Sequence, residues 1–182
     1  MCIEIPESIK NRIDELDDSL RKTDAQVSWT RPSNIHLSLK FLGSVDASRI
    51  PDLAGAIKRA AHGIHPFEVE IGGTGCFPNA RNPRVLWVGV SKIAEELRRL
   101  YSNIEEELAH EGFEKEKRKF SPHLTIGRIR TPRNAARVAE MLLNIGFETE
   151  TFTATQVIVM RSDLNPKGSI YTPQAVTQLT SS

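Results

Sequence analysis

The chain has 182 residues, 39% of them hydrophobic, and a formal net charge of +1 at pH 7. That length suits one domain, or two closely packed lobes of about 90 residues each, and the small net charge argues against broad electrostatic capture of long duplexes, which needs a basic surface. Cys2 and Cys76 form no spacing motif, so a disulfide framework or zinc site is unsupported; nothing resembles a signal peptide or an apolar run near the roughly 20 residues of a membrane span, and a soluble cytoplasmic protein is expected.

In chain order, Cys2 to Ile5 reads as a short strand and Pro6 to about Arg21 as a helix. A strand opens at His36 and runs through Phe41, a second helix spans about Ala47 to His62, and a long strand begins Phe67-Glu68-Val69-Glu70-Ile71. Gly72-Gly73-Thr74-Gly75 resembles a phosphate loop at a glance, but no Lys-Ser/Thr follows and no helix opens there. Those glycines are expected to mark a bulge or a close backbone approach, with Cys76-Phe77-Pro78 ending the strand. Arg84 to Val90 is an apolar, β-branched run typical of a buried strand, in which Trp87 is expected to be core with its indole N–H partnered.

Ile93, Leu97, Leu100, Ile104 and Leu108 recur at three or four residues and form one stripe of a helix over about Ser91 to Glu111, with Gly112 where it stops. A strand at His123, a helix from about Pro132 to Asn144 and a strand from Phe152 to Met160 complete the chain; Pro6 and Pro132 each suit a first helical turn. The order strand, helix, His strand, helix, strand thus occurs twice, with approximate repeats at 1–83 and 84–175 inside a single 1–182 domain. Asn82-Pro83 and Asn165-Pro166 even place matching turns after the last strand of each repeat.

The chemistry sits in the two histidine strands. His36-Leu37-Ser38-Leu39 and His123-Leu124-Thr125-Ile126 each place a histidine two residues before a hydroxyl in an apolar run. Alternation puts His36 with Ser38, and His123 with Thr125, on one face, while Leu37, Leu39, Leu124 and Ile126 point to a core. With 26 Ser and Thr in 182 residues, such a pair arises by chance about once in seven histidines, so the weight lies in the repetition of the flanking order. Two imidazoles aimed at one volume can move a proton on each side of a small anionic group. Neither motif has a second His or a carboxylate at metal-ligand spacing, so no metal and no cofactor are expected. His62, His65 and His110 lie outside the motifs. Basic residues gather nearby: Arg81, Arg84, the run Glu114-Lys115-Glu116-Lys117-Arg118-Lys119, then Arg128, Arg130 and Arg133. The 114–119 run reads either as a solvated loop or as a positive rim that steers a phosphate end.

The two motifs, extended to His36-Leu37-Ser38-Leu39-Lys40-Phe41-Leu42-Gly43 and Ser121-Pro122-His123-Leu124-Thr125-Ile126-Gly127-Arg128, resemble those of the two-histidine (2H) phosphoesterases. The nearest branch is the RNA 2′,3′-cyclic phosphodiesterase/2′-5′ RNA ligase family. The resemblance extends to Cys76-Phe77-Pro78, Pro83-Arg84-Val85-Leu86-Trp87 and a closing Ser162, Leu164, Gly168, Tyr171 pattern. Ser38 stands where Thr is commoner in the family, and the first strand is short, which implies a frayed sheet edge.

The resemblance implies an α+β, bilobal, duplicated fold: two antiparallel sheets with outer helices, pseudo-twofold symmetry and an active-site groove between the lobes. It implies His36 as proton donor to the leaving oxygen, His123 as the base on water, Ser38 and Thr125 as phosphate contacts, and Arg128 as a further one. Lys40 joins them by parity, as a substrate-binding cation on the face of His36 and Ser38. Arg128 has the wrong parity and reaches the site only through a bulge at Gly127. The implied partners are RNA or nucleotide 2′,3′-cyclic phosphate ends, tRNA halves among them, with a monomer expected and no membrane. The activity implied is hydrolysis to 2′-phosphates, with ATP-independent, reversible 2′-5′ ligation by the same site. A 3′-5′ RNA exonuclease, a small cyclic nucleotide phosphodiesterase and a non-catalytic RNA-end binding module stay open beside it.

Overall fold

The computed structural model describes residues 1–163, 165 and 169–180. Thirteen main elements follow one another: β1 (Cys2–Glu4), α1 (Glu7–Arg21), β2 (Val27–Trp29), β3 (His36–Ser38), α2 (Ile50–Ala60), β4 (Phe67–Phe77), β5 (Val85–Lys92), α3 (Glu95–His110), β6 (His123–Ile129), α4 (Ala135–Ile145), β7 (Glu150–Ala154), β8 (Gln156–Asp163) and β9 (Ile170–Gln178). Short 3₁₀ turns at Pro32–Asn34 and Ala47–Arg49 precede β3 and α2. No helix of the described residues is long and apolar enough to cross a membrane.

Two antiparallel sheets result, with strand orders β3-β1-β8-β9 and β2-β6-β5-β4-β7. Each sheet takes strands from both halves of the chain. β4 ends the first half but pairs with β5, and β8 belongs to the second half but pairs with β1. The antiparallel pair β1–β3 therefore has β8 at its side just as the pair β5–β6 has β4, so the two sheets correspond by a pseudo-twofold relation. The lobes are not two consecutive stretches of about 90 residues, because the exchanged strands interlock them. The helices follow the same relation, α2 packing on α3 and α1 on α4.

Several elements differ from their sequence-based bounds, each for a local reason. Phe152 to Met160 is two strands: Thr155 separates β7, which pairs with β4, from β8 in the other sheet. β1 is indeed only three residues long, yet it is hydrogen-bonded between β3 and β8 and is no edge. β5 runs on to Lys92, which delays α3 to Glu95, and Asn134 in the left-handed region (φ 55°) precedes α4, leaving Pro132 outside its first turn. The three-residue β2 and the half-exposed β9 carry too little periodicity to announce themselves. Of the closing pattern, Leu164 and Gly168 lie outside the described residues, as does Pro166.

The core forms from the helix-facing sides of both sheets. Ile3, Leu37 and Val157 of the first sheet and Leu86, Val88, Leu124 and Ile126 of the second are fully buried with Leu97, Leu100, Ile104 and Leu108 of α3. Each such side chain removed from water contributes about 1.5–3 kcal/mol. Within this apolar setting stands one unusual group. Asp17 of α1 is 1% exposed, and its Oδ1 has no hydrogen-bond partner among the described residues. Burial pushes its carboxyl up to about 8, against the pull of Arg21.

The folded state thus binds a proton at Asp17 that the unfolded chain releases near the ordinary carboxylate value. Stability is expected to fall, not rise, through this group as pH increases from about 4 to about 8. Asp17→Asn should flatten that slope, because an amide has no proton to lose, so its stability relative to the parent should be higher at pH 8 than at pH 5. Urea titrations of both proteins at pH 5 and pH 8 measure it; a gain that is equal at the two pH values would contradict a proton held at Asp17.

Candidate active site

The strands β3 and β6 lie directly against one another where the two sheets meet, and both motifs present their polar face to the groove between the sheets. On β3, His36 is half-buried and Ser38 exposed while Leu37 between them is fully buried; on β6, His123 and Thr125 are half-buried while Leu124 and Ile126 are fully buried.

The two imidazoles are held in the same way. His36 Nδ1 donates to the Asn34 carbonyl at 2.9 Å, and His123 Nδ1 donates to the Ser121 carbonyl at 2.7 Å. A carbonyl can only accept, so each Nδ1 carries hydrogen, and Nε2 is the nitrogen left to gain or lose a proton. Each ring also meets the edge of an aromatic one: Tyr171 stands 5.0 Å from His36 at 76°, and Phe77 stands 5.0 Å from His123 at 77°. These edge-to-face contacts restrict rotation of the imidazoles. Phe77 and Tyr171 appear in the sequence only as members of longer patterns; no periodicity marks them as neighbours of the histidines.

The supports of the two rings differ. Asn34 ends a 3₁₀ turn and its Nδ2 donates to the Ser169 carbonyl at 2.8 Å, which ties motif one to the start of β9. Ser121 follows Phe120, whose ring stacks on Tyr101 of α3 at 3.9 Å. Burial, foremost, lowers the His36 pKa from the ordinary histidine value; the positive N-terminus and Lys10 act in the same direction, and the bond to Asn34 opposes them. These surroundings favour the neutral form of His36.

Arg128 reaches the motif face through a register shift. Thr125 is opposite Trp87 on β5, but Gly127 is opposite Leu86, so Ile126 has no partner and forms a bulge. Its carbonyl instead accepts from Thr30 N–H at 2.8 Å. Beyond the bulge, Arg128 is opposite Val85, which shares a face with Trp87 and hence with His123 and Thr125. Gly127 is required there: a Cβ would lie 2.7 Å from Val27 Cγ1 and 3.1 Å from the Trp29 ring. The Arg128 side chain is exposed and makes no hydrogen bond or ion pair among the described residues.

Lys40 is not on that face, contrary to the parity expectation. β3 ends at Ser38, where the N–H groups of both Leu39 and Lys40 turn to the Met1 carbonyl, and alternation stops. The Lys40 ammonium lies 2.7 Å from Glu105 of α3 and donates to the Glu114 carbonyl at 2.7 Å, with the side chains of the pair only 7% and 9% exposed. Both partners hold it on the α3 side, away from the groove. Glu105 also accepts from Glu116 N–H at 2.8 Å, so the pair anchors the exposed 114–119 segment.

Trp87 departs from expectation as well. It lies on the groove face, half-buried, between Gly75 and Gly89, where a Cβ on Gly75 would overlap its six-membered ring. Its ring tilts against Phe77 at 5.3 Å and faces His123 at 6.2 Å. The indole N–H is buried and without a partner among the described residues. The glycines of 72–75 do serve bulge and close approach: the β4–β5 register shifts beside Ile71, Gly73 has φ +70°, and Gly75 admits the Trp87 ring. Among the described residues no three His, Cys, Asp or Glu side chains gather as metal ligands.

Comparison with known proteins fits this geometry. Residues 5–166 match the model of the 2′-5′ RNA ligase superfamily. A protein of Methanothermobacter thermautotrophicus is 34% identical over 98% of this chain and 97% of its own, and one of Thermotoga maritima is 32% identical over 94% and 89%. Both carry the name RNA 2′,3′-cyclic phosphodiesterase. Among solved structures, a Thermus thermophilus protein superposes with a TM-score of 0.79 at 24% identity, covering 98% of this chain and 95% of that one. E. coli LigT complexed with 3′-AMP gives 0.79 at 22% identity, covering 99% and 96%.

The buried pair of Lys40 and Glu105 sets a stability expectation. Lys40→Ala should cost about 3–5 kcal/mol, because it strands a carboxylate in the core, whereas Lys40→Met with Glu105→Leu should restore most of the loss. Chemical denaturation of the three proteins measures this; a single variant as stable as the parent would show that the pair is not closed from water.

Proposed function

This chain belongs to the 2′-5′ RNA ligase superfamily, and we propose that it hydrolyses RNA 2′,3′-cyclic phosphate ends to 2′-phosphates with His36 and His123 as acid and base. It is an RNA 2′,3′-cyclic phosphodiesterase, as its curated relatives are named. The observation that carries the residue assignment is the matched pair of imidazoles, each tied at Nδ1 to the carbonyl two residues before it. One substrate phosphorus between two such rings has a proton acceptor on one side and a proton donor on the other.

The steps follow from that arrangement. Ser38 and Thr125 donate hydrogen bonds to the non-bridging phosphate oxygens, and the Arg128 guanidinium offsets their charge. His123 Nε2 takes a proton from water as the water oxygen attacks phosphorus. The bond from phosphorus to O3′ breaks, and His36 Nε2 delivers its proton to that oxygen. The product carries a 2′-phosphate and a 3′-hydroxyl, while solvent returns the two rings to their starting charges. With an RNA 5′-hydroxyl in place of water, the same site forms a 2′-5′ linkage without ATP. We place tRNA halves among the substrates and take the working protein to be a cytoplasmic monomer.

His36 must be charged for this role although burial favours its neutral form. The anionic phosphate supplies the compensation, since an opposite charge beside the ring restores the imidazolium. The alkaline limb of kcat/KM, which reflects the free protein, should therefore fall at lower pH than the alkaline limb of kcat, which reflects the complex. Rate profiles from pH 5 to pH 9 on a cyclic mononucleotide measure both. Coincident alkaline limbs would exclude this compensation.

Substitutions separate the roles. His36→Ala should lower kcat on a cyclic phosphate by about 10²–10⁴ but act far less on a nitrophenyl phosphodiester, whose leaving group departs without a proton. His123→Ala should impair both substrates. Ser38→Ala and Thr125→Ala should each cost about 1.5–3 kcal/mol of transition-state stabilisation, the range for a bond to a charged group. Equal losses for His36→Ala on the two substrates would reverse or remove its assignment as acid.

A further inference from the structure

We propose that Arg130 and Ser28 form a second phosphate subsite, which holds the phosphodiester immediately 5′ of the cyclic end; the inference rests on the proposed function. The bulge at Ile126 is what creates it. Beyond the bulge, Arg128 and Arg130 alternate onto the face of His123 and Thr125, and β2 pairs alongside with Ser28 opposite Arg128. Arg130 continues this ladder, its N–H donating to the Gln26 carbonyl at 2.8 Å. Its Nη2 lies 3.2 Å from Ser28 Oγ, which places both side chains on the groove face.

Three properties make this a phosphate site. First, Arg130 is exposed and no carboxylate lies within ion-pair distance of it among the described residues, so its charge is open to an anion from solution. Second, Ser28 accepts from Arg130, so its own hydroxyl proton is free to donate to a phosphate oxygen. Third, the step from Arg128 to Arg130 along an extended strand is about 7 Å, comparable to the distance between successive phosphates of an extended nucleic-acid chain. If Arg128 meets the cyclic phosphate, Arg130 meets the next one upstream. A planar guanidinium can bind a phosphate through two N–H groups, and a charge of this kind gathers substrate without touching the reacting atoms. The site then distinguishes an RNA end from a free cyclic nucleotide.

The test uses the intact protein on two substrates: a cyclic mononucleotide, and a tetranucleotide ending in a 2′,3′-cyclic phosphate. A third probe is the same tetranucleotide with a neutral methylphosphonate at the last internucleotide linkage. Arg130→Gln should raise KM for the tetranucleotide about tenfold at unchanged kcat, while kinetics on the mononucleotide move less than twofold. Arg130→Lys should retain most of the affinity, and Ser28→Ala should show a smaller loss of the same selectivity. The methylphosphonate should reproduce the tenfold loss in the parent protein and cause no further loss in Arg130→Gln. Equal effects of Arg130→Gln on mononucleotide and tetranucleotide, or additive effects of the variant and the methylphosphonate, would overturn the subsite. A parent protein inactive on every cyclic phosphate would instead overturn the function on which it rests.

Discussion

The exchange of β4 and β8 between the halves of the chain is the constraint from which the rest of the molecule follows. A three-residue strand such as β1 or β3 cannot hold itself in place, because so few ladder bonds do not offset the conformational entropy of ordering it. β1 is fixed because β8 arrives from the far end of the sequence to pair with it, and β5 has β4 beside it from the first half. Neither half can complete its sheet alone. The same exchange brings the outer strand β3 of one sheet against β6 of the other, so the two histidines stand at the line where the lobes are joined.

Charge is distributed around this line in a consistent way. On the helix side, Lys40 and Glu105 neutralise one another inside the protein and anchor the segment leading to His123. On the groove side, Arg128 has no protein counter-charge among the described residues, and burial disfavours the cationic form of His36. The buried Lys40 ammonium thus has its counter-charge within the fold, while the exposed Arg128 guanidinium has none among the described residues.

The close packing of backbone against aromatic rings has a similar logic. Gly75 and Gly127 lie in strands, where glycine weakens β-structure. Each leaves room for a ring on its own face: Trp87 over Gly75 on the groove side, Trp29 against Gly127 on the other. The first contact supports the floor beside His123. The second accompanies the bulge that carries Arg128 onto the working face.

Much of this was legible in the chain itself. Two apolar strands with a histidine two residues before a hydroxyl name their own working face, because side-chain alternation is a local property of extended backbone. The amphipathic stripe of α3 and the duplicated order of elements are equally local. What the tertiary structure alone decided are the places where alternation stops or shifts. Lys40 left the face of His36 because Met1, at the far end of the preceding stretch of chain, accepts two consecutive N–H groups and ends β3. Arg128 joined the face of His123 because Trp87 and Leu86 skip Ile126 in pairing with β6. Phe152 to Met160 became two strands because β4 and β1, in different sheets, each claim a part of it. In each case the deciding hydrogen bonds come from partners distant in sequence, and a periodic pattern read along one segment carries no information about where its partner's register slips.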